Sequence, residues 1–337
     1  MRKKPVTLLS GYLGAGKTTL LNHLLNQAQG TRLAVVVNDL GAVNVDARLL
    51  RGKSRQDFQN PVLELTNGCI CCDLREDFIQ DIRTLAMDDS VDAIVVEASG
   101  VSSPMSIADG FEEEGEEFPA YLDSVVAVAD GNRIASEFLD ELEQYQTSYE
   151  TEEEDVINLV MEQIEFSNII LLNKCDLLTS KELEQVESII KILSPEAELI
   201  KTTNSEVPLH KIFNRRLYDY GRLHGACALN KALADGEHDH DYGIKSFVYE
   251  REEGFEEARF YDWIENHYPR EIIRAKGYIR FFDRPEETIL FEQAGNSVAI
   301  TPVPSVEDSE QGSQIVFIGK QLEEEKLKES LNACIRQ

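Results

Sequence analysis

Basic residues, long apolar runs and paired cysteines are all scarce in this chain. Of 337 residues, 33 are Lys or Arg against 62 Asp or Glu, a formal net charge of −29. A surface so poor in positive charge repels phosphate backbones, which argues against nucleic acid as a partner. No apolar run reaches the roughly 18–20 residues that span a bilayer, so no membrane partner is expected. The opening MRKKPVTLLSG has the basic start of a leader, but its apolar stretch is too short and runs into a glycine-rich loop. The expectation is an intracellular, cytoplasmic protein. There are six cysteines, and they do not form the two well-separated pairs of a structural zinc site. In a reducing compartment they read as metal ligands or reactive thiols rather than a disulfide framework. No internal repeat is present.

Negative charge, by contrast, is concentrated in FEEEGEEF (111–118) and in the stretch from Glu137 to Asp155. These runs read as solvated loop and helix surface, with weak attraction of cations as the alternative. The first half alternates apolar runs with helical patterns. Strands are expected at 6–10, 32–38, 62–66, 92–99, 123–130 and 168–174, and helices at 17–29, 74–87, 156–166 and 180–193. Several runs are continuous Val/Ile/Leu without polar alternation, as in parallel strands covered on both faces. That is α/β alternation and a doubly wound, mostly parallel sheet. The pattern changes near Arg215. A stretch ending in EHDHD (237–241) is expected to be a solvated linker, with weak metal pick-up by His238 and His240 as the lesser reading. From residue 244 strands and two helices predict a small α+β domain. The expected division is 1–222, a linker at 223–243, and 244–337.

GYLGAGKT (11–18) fits G-x-x-x-x-G-K-[ST] between a predicted strand and a predicted helix, the context the motif needs. Gly11, Gly14 and Gly16, with Ala15 between the last two, let backbone N–H groups face phosphate oxygens. Lys17 adds a point charge at the β/γ-phosphates and Thr18 a hydroxyl for Mg²⁺, with Thr19 following in the helix. NKCD (173–176), on a strand end, matches N-K-x-D. The Asp176 carboxylate can accept from the guanine N1–H and exocyclic amine, Asn173 can help hold the base edge, and Lys174 can cover the base. Adenine lacks that donor pair and would leave the carboxylate unpaired. GTP and GDP are thus the expected nucleotides. The apolar strand DAIVVE ends in Glu97, read as acting on Mg²⁺ or its waters, or else as a simple strand-end charge. VNDLGAVNVD (37–46) occupies the place of a switch loop, with Asn38, Asp39 and Asp46 as candidate contacts to Mg²⁺ or its waters. An Asn-Asp turn is the equal alternative.

TNGCICCDLRED (66–77) holds three of the six cysteines, Cys69, Cys71 and Cys72. Thiolates are soft ligands suited to Zn²⁺, Cu(I) or Fe–S. Three thiolates leave the shell open to a carboxylate, histidine, water or partner group, and an open shell permits exchange. Redox thiols or packing are the alternatives. Cys175, Cys227 and Cys334 read as small buried hydrophobes.

With GYLGAGKTT, NDLG, GCICC, EASG, NKCD and the C-terminal segments IKSFVYE, FYDWIEN, EIIRAKGYIRF and FIG, the chain resembles the CobW-type metallochaperone GTPases. These are P-loop GTPases related to the nickel-insertion GTPases of urease and hydrogenase maturation. The resemblance covers nearly the whole chain. It implies a P-loop NTPase fold, and hydrolysis of GTP to GDP and phosphate coupled to delivery of a transition metal to client proteins. The metal is most often zinc, with cobalt for some members. It implies phosphate and Mg²⁺ roles for Lys17 and Thr18, metal binding by Cys69, Cys71 and Cys72, and guanine binding by Asn173 and Asp176. The family loop is usually N-E-x-G; here Asp39 shortens the metal-facing carboxylate by one methylene and is the first candidate for the fourth ligand. The expected form is a monomer or weak homo-oligomer. Competing readings are a non-catalytic zinc buffer or sensor, and cobalt or iron delivery for cobalamin or nitrile hydratase-type clients.

Overall fold

The computed structural model describes residues 3–28, 30–38, 62–65, 75–136, 153–219, 238–239, 244–269, 271–294, 297–303, 312–320 and 322–335. Two compact units emerge. One comprises Met1–Ile134, Leu159–Leu183 and Ser194–Gly225; the other comprises Ala135–Asn158, Glu184–Leu193 and Ala226–Gln337.

The first unit is built on seven strands: β1 (Lys4–Ser10), β2 (Leu33–Asn38), β3 (Val62–Leu65), β4 (Ala93–Glu97), β5 (Ala120–Asp130), β6 (Ile169–Asn173) and β7 (Glu198–Lys201). They lie in the order β3-β2-β4-β1-β5-β6-β7, and every pairing is parallel. Side chains alternate between faces along a strand, and here both faces are apolar. Val6, Leu8, Ala34, Val36, Ile94, Val96 and Val125 enter one core. Leu9, Val35, Val37, Val95, Val126 and Val128 enter the other. Helix α1 (Lys17–Gln27) covers the second core with Leu20, Leu21, Leu24 and Leu25. Helices α2 (Arg75–Met87) and α3 (Pro104–Glu113) cover the first, where Phe78 meets Phe111 edge-on at 6.5 Å. Strands sandwiched in this way need continuous apolar runs, which is why they are legible as such.

The chain crosses to one side of β1 for β2–β4 and to the other for β5–β7. The reversal puts a crevice at the carboxyl ends of the central strands, the place where open α/β sheets bind ligands. Helices α4 (Gly131–Ala135), α5 (Glu153–Glu165) and α6 (Ser180–Leu193) complete the series.

The second unit carries a six-stranded sheet in the order β12-β11-β10-β13-β9-β8, all antiparallel. Its strands are β8 (His238–Asp239), β9 (Ile244–Arg251), β10 (Ile272–Phe281), β11 (Arg284–Ala294), β12 (Ser297–Val303) and β13 (Ser313–Lys320). Helix α7 (Glu257–Asp262) continues into a wider π turn over Trp263–His267, and α8 (Glu324–Asn332) closes the chain. The core is aromatic: Phe255 and Phe260 lie 4.6 Å apart between ring centroids, and Trp263 and Tyr268 lie 4.9 Å apart. Cys334 is buried in this core, and burial pushes its thiol up to about 11, so it is an inert apolar filler. Within the stretch read as a linker, His238 and Asp239 differ from expectation: they pair with Ser246 and Lys245 as a short edge strand. His240 and Cys227 lie outside the described residues.

Candidate functional site at the carboxyl edge of the parallel sheet

β1 leaves the sheet at Ser10 and turns through the glycine loop into α1. Gly11, Gly14 and Gly16 have φ of 135°, 76° and 115°, the left-handed region that glycine enters without strain. Two of them are also fixed by close approach. A Cβ on Gly11 would stand 2.3 Å from the Val128 carbonyl oxygen, and one on Gly16 would stand 2.5 Å from Asn173 Nδ2 and 2.6 Å from Ser205 Oγ. Ala15 is buried, and its N–H donates to Tyr12 O at 3.2 Å. Lys17 is 8% exposed and its Nζ donates to Gly11 O at 2.6 Å, which sets the ammonium inside the curve of the loop. Thr19, in the first turn of α1, is exposed.

β4 lies beside β1 with Glu97 in register with Leu9. Glu97 is 3% exposed, and Thr18 Oγ1 donates to its Oε1 at 2.9 Å. The sequence-predicted pair Thr18 and Glu97, 79 positions apart, is thus brought together. The turn after Glu97 packs on the glycine loop, because a Cβ on Gly100 would stand 2.6 Å from Leu13 Cδ2. Buried Gln163 holds that turn from α5, donating to Gly100 O and Ser102 O at 3.3 Å each.

The N-K-x-D motif closes the other side. Asn173, at the end of β6, is 3% exposed and turned inward. Its Nδ2 donates to Ala15 O at 2.8 Å, while its Oδ1 accepts from Ser205 N at 2.8 Å and Thr202 Oγ1 at 3.2 Å. It therefore ties the end of β6 to the glycine loop. Lys174 follows in a left-handed conformation with φ 60°, and its Nζ pairs with Asp130 Oδ2. Asp176 is exposed on the single helical turn Cys175–Leu177. Cys175 is half-buried rather than sealed in a core, and its thiol donates to Leu172 O at 3.1 Å.

One element of the site escapes sequence reading: the turn Thr202–Ser205 after β7. Asn204 and Ser205 have φ of 57° and 54°, and Ser205 Oγ donates to Gly16 O at 3.1 Å. The signal was the polar TTNS following ELIK, residue types that favour tight turns, with Asn tolerant of this backbone.

Thr18 and Glu97 present hard oxygen donors of the kind Mg²⁺ takes, so the residues fit that ion. Asn38 ends β2, while Asp39, Asp46, Cys69, Cys71 and Cys72 lie outside the described residues. Among the described residues no group of three or more His, Cys, Asp or Glu is placed to hold a metal ion.

Comparison with known proteins joins these observations. Residues 5–201 match the CobW/HypB/UreG nucleotide-binding domain, and residues 244–335 match the cobalamin synthesis protein CobW C-terminal domain. The chain belongs to the CobW/HypB/UreG family. Its parallel-sheet unit is accordingly a P-loop GTPase domain. A Dictyostelium discoideum protein called zinc-regulated GTPase metalloprotein activator 1 is 37% identical over 88% of this chain and 67% of its own length. The zinc chaperone CobW of Pseudomonas aeruginosa is 32% identical over 62% of this chain, which spans only 59% of that relative. The zinc chaperone YjiA of Escherichia coli is 27% identical over 96% of both chains.

Proposed function

We propose that this protein is a GTP-hydrolysing metallochaperone that binds a transition metal, zinc by preference, at Cys69, Cys71 and Cys72 and passes it to client metalloproteins. The observation that carries the reading is the convergence of Lys17, Thr18, Glu97 and the Asn173–Asp176 turn on one sheet edge. β3, which leads toward the cysteines, also ends at this edge, with Leu65 in register with Asn38. The names of the relatives support zinc as cargo. Cys69 begins four positions after β3 ends, and Asp39 follows β2 directly. We assign Asp39 as the fourth ligand. Domain boundaries at 1–222 and 244–337 and a cytoplasmic location complete the proposal; among the described residues no helix is long and apolar enough to cross a membrane.

In this reading backbone N–H groups of Gly11–Thr18 bind the phosphates, and Lys17 stabilises negative charge on the transferring phosphoryl group. Thr18 and Glu97 would hold Mg²⁺, which would supply neutralisation of phosphate charge. Asp176 accepts two hydrogen bonds from guanine, and the Lys174 stem covers the base. No side chain is assigned as a strong base, since phosphoryl transfer with a loose transition state depends on positioning and charge.

The test is zinc affinity by competition with a chromophoric chelator under reducing conditions. Cys71→Ala and Cys72→Ala are expected to weaken zinc binding about tenfold or more, with GTP affinity within twofold of wild type. Equal zinc affinity in the wild type and the triple Cys→Ala variant would overturn the reading. Single-turnover hydrolysis that is indifferent to zinc and client would do the same for coupled delivery.

A further inference from the structure

Asp130 ends β5 beside Asn173, and its two carboxylate oxygens serve different elements. Oδ1 accepts the Arg133 N–H at 3.2 Å and starts helix α4. Oδ2 accepts from Lys174 Nζ at 2.5 Å. The aspartate side chain is 16% exposed and the lysine 34%, so the pair lies at the mouth of the site rather than on open surface.

Lys174 is fixed at both ends. Its backbone sits in the left-handed region, φ 60° and ψ 31°, which a residue with a side chain adopts only where its surroundings impose it. The turn does so through Leu177 N donating to Lys174 O at 3.0 Å and Cys175 N donating to Thr202 O at 3.2 Å. Asp130 then holds the ammonium. Between these anchors runs the four-carbon stem, two residues from the exposed Asp176. A lysine with a mobile, fully hydrated ammonium samples many rotamers and loses that freedom on packing against a ligand. A lysine held by a fixed carboxylate has already lost it, and its charge is offset.

We propose that Asp130 is a positioning residue for base selection. It anchors and neutralises Lys174, so that the lysine presents its methylene stem as a pre-formed apolar ledge against one face of the purine whose edge Asp176 reads. This rests on the assignment of Lys174 and Asp176 to the base under the proposed function. The same carboxylate also starts the helix bearing Arg133, whose guanidinium lies 4.2 Å from the centroid of the Tyr12 ring in the phosphate loop. A useful variant must therefore keep the cap while removing the charge.

Asp130→Asn does this, since its carbonyl can still accept from Arg133 N–H, and Asp130→Ser is a second cap-preserving variant. With GDP and GTP as probes on the full chain, Asp130→Asn is expected to raise Kd and KM five- to tenfold and leave kcat within twofold. Asp130→Glu is expected to recover part of the loss. Lys174→Ala should weaken binding by at least as much, and adding Asp130→Asn to it should cost nothing further. An equal loss from Asp130→Asn in both backgrounds would overturn the inference while leaving Lys174 at the base. Unchanged affinity in Lys174→Ala would overturn the assignment of Lys174 to the base, and the inference with it. A fall in kcat at unchanged KM in both cap-preserving variants would also overturn it.

Discussion

Gly16 shows how little room a single residue can leave. Its φ of 115° disfavours any side chain, and the space a Cβ would take is held by Asn173 Nδ2 and Ser205 Oγ. Gly16→Ala is therefore expected to part the glycine loop from the guanine motif. Isothermal titration should show GTP and GDP binding weakened by about 100-fold or more, equivalent to about 2.7 kcal/mol. Gly14, also at positive φ, has no atom near its virtual Cβ, so Gly14→Ala should cost less in the same titration, through backbone strain alone. The residues proposed to touch phosphate and base stand out in the sequence because G-x-x-x-x-G-K-[ST] and N-K-x-D are local patterns with fixed chemistry. The inward role of Asn173 was not. Its partners Ala15 and Ser205 are 158 and 32 positions away, and only the folded sheet brings them to it. Ser205 was illegible for the same reason, since its hydroxyl reaches Gly16 across 189 positions.

At the scale of elements, strands buried on both faces declared themselves, and short or half-exposed ones did not. β7 was missed because four residues, ELIK, with mostly half-buried side chains carry no apolar run. Helix α3 is obscured in the sequence because its second half, DGFEE, is mostly acidic and merges with the run that follows. Ser103 accepts the Met105 N–H at 3.2 Å and Pro104 follows, a recognisable helix opening. Helix α6 matches its expected bounds, 180–193, and opens on a reciprocal cap. Thr179 N donates to Glu182 Oε2 at 2.7 Å, and Glu182 N donates to Thr179 Oγ1 at 3.3 Å. Thr179→Ala removes one arm and is expected to lower unfolding free energy by about 1 kcal/mol in urea titration, with nucleotide affinity unchanged.

Across the whole molecule, two hydrophobic systems of different chemistry share one chain. The parallel-sheet unit is mainly aliphatic, with a few phenylalanines on one face, whereas the antiparallel unit is built around clustered aromatic rings. Phe260 is fully buried there, with Phe255, Trp263, Phe281 and Phe291 within 4.6–5.9 Å of its centroid. Phe260→Ala is expected to cost about 3–5 kcal/mol, measured by denaturant unfolding followed by near-UV circular dichroism. The division into an α/β part and a small α+β part was readable because the pattern changes near Arg215 and strands resume at residue 244.

The chain contains one tryptophan, and Trp263 stands in the ringed core of that second unit, its Nε1 donating to Ser330 Oγ at 3.1 Å. Intrinsic indole emission is therefore a private channel from the antiparallel unit. Unfolding followed by indole emission reads the loss of that ringed core, and unfolding of the parallel sheet needs a label of its own.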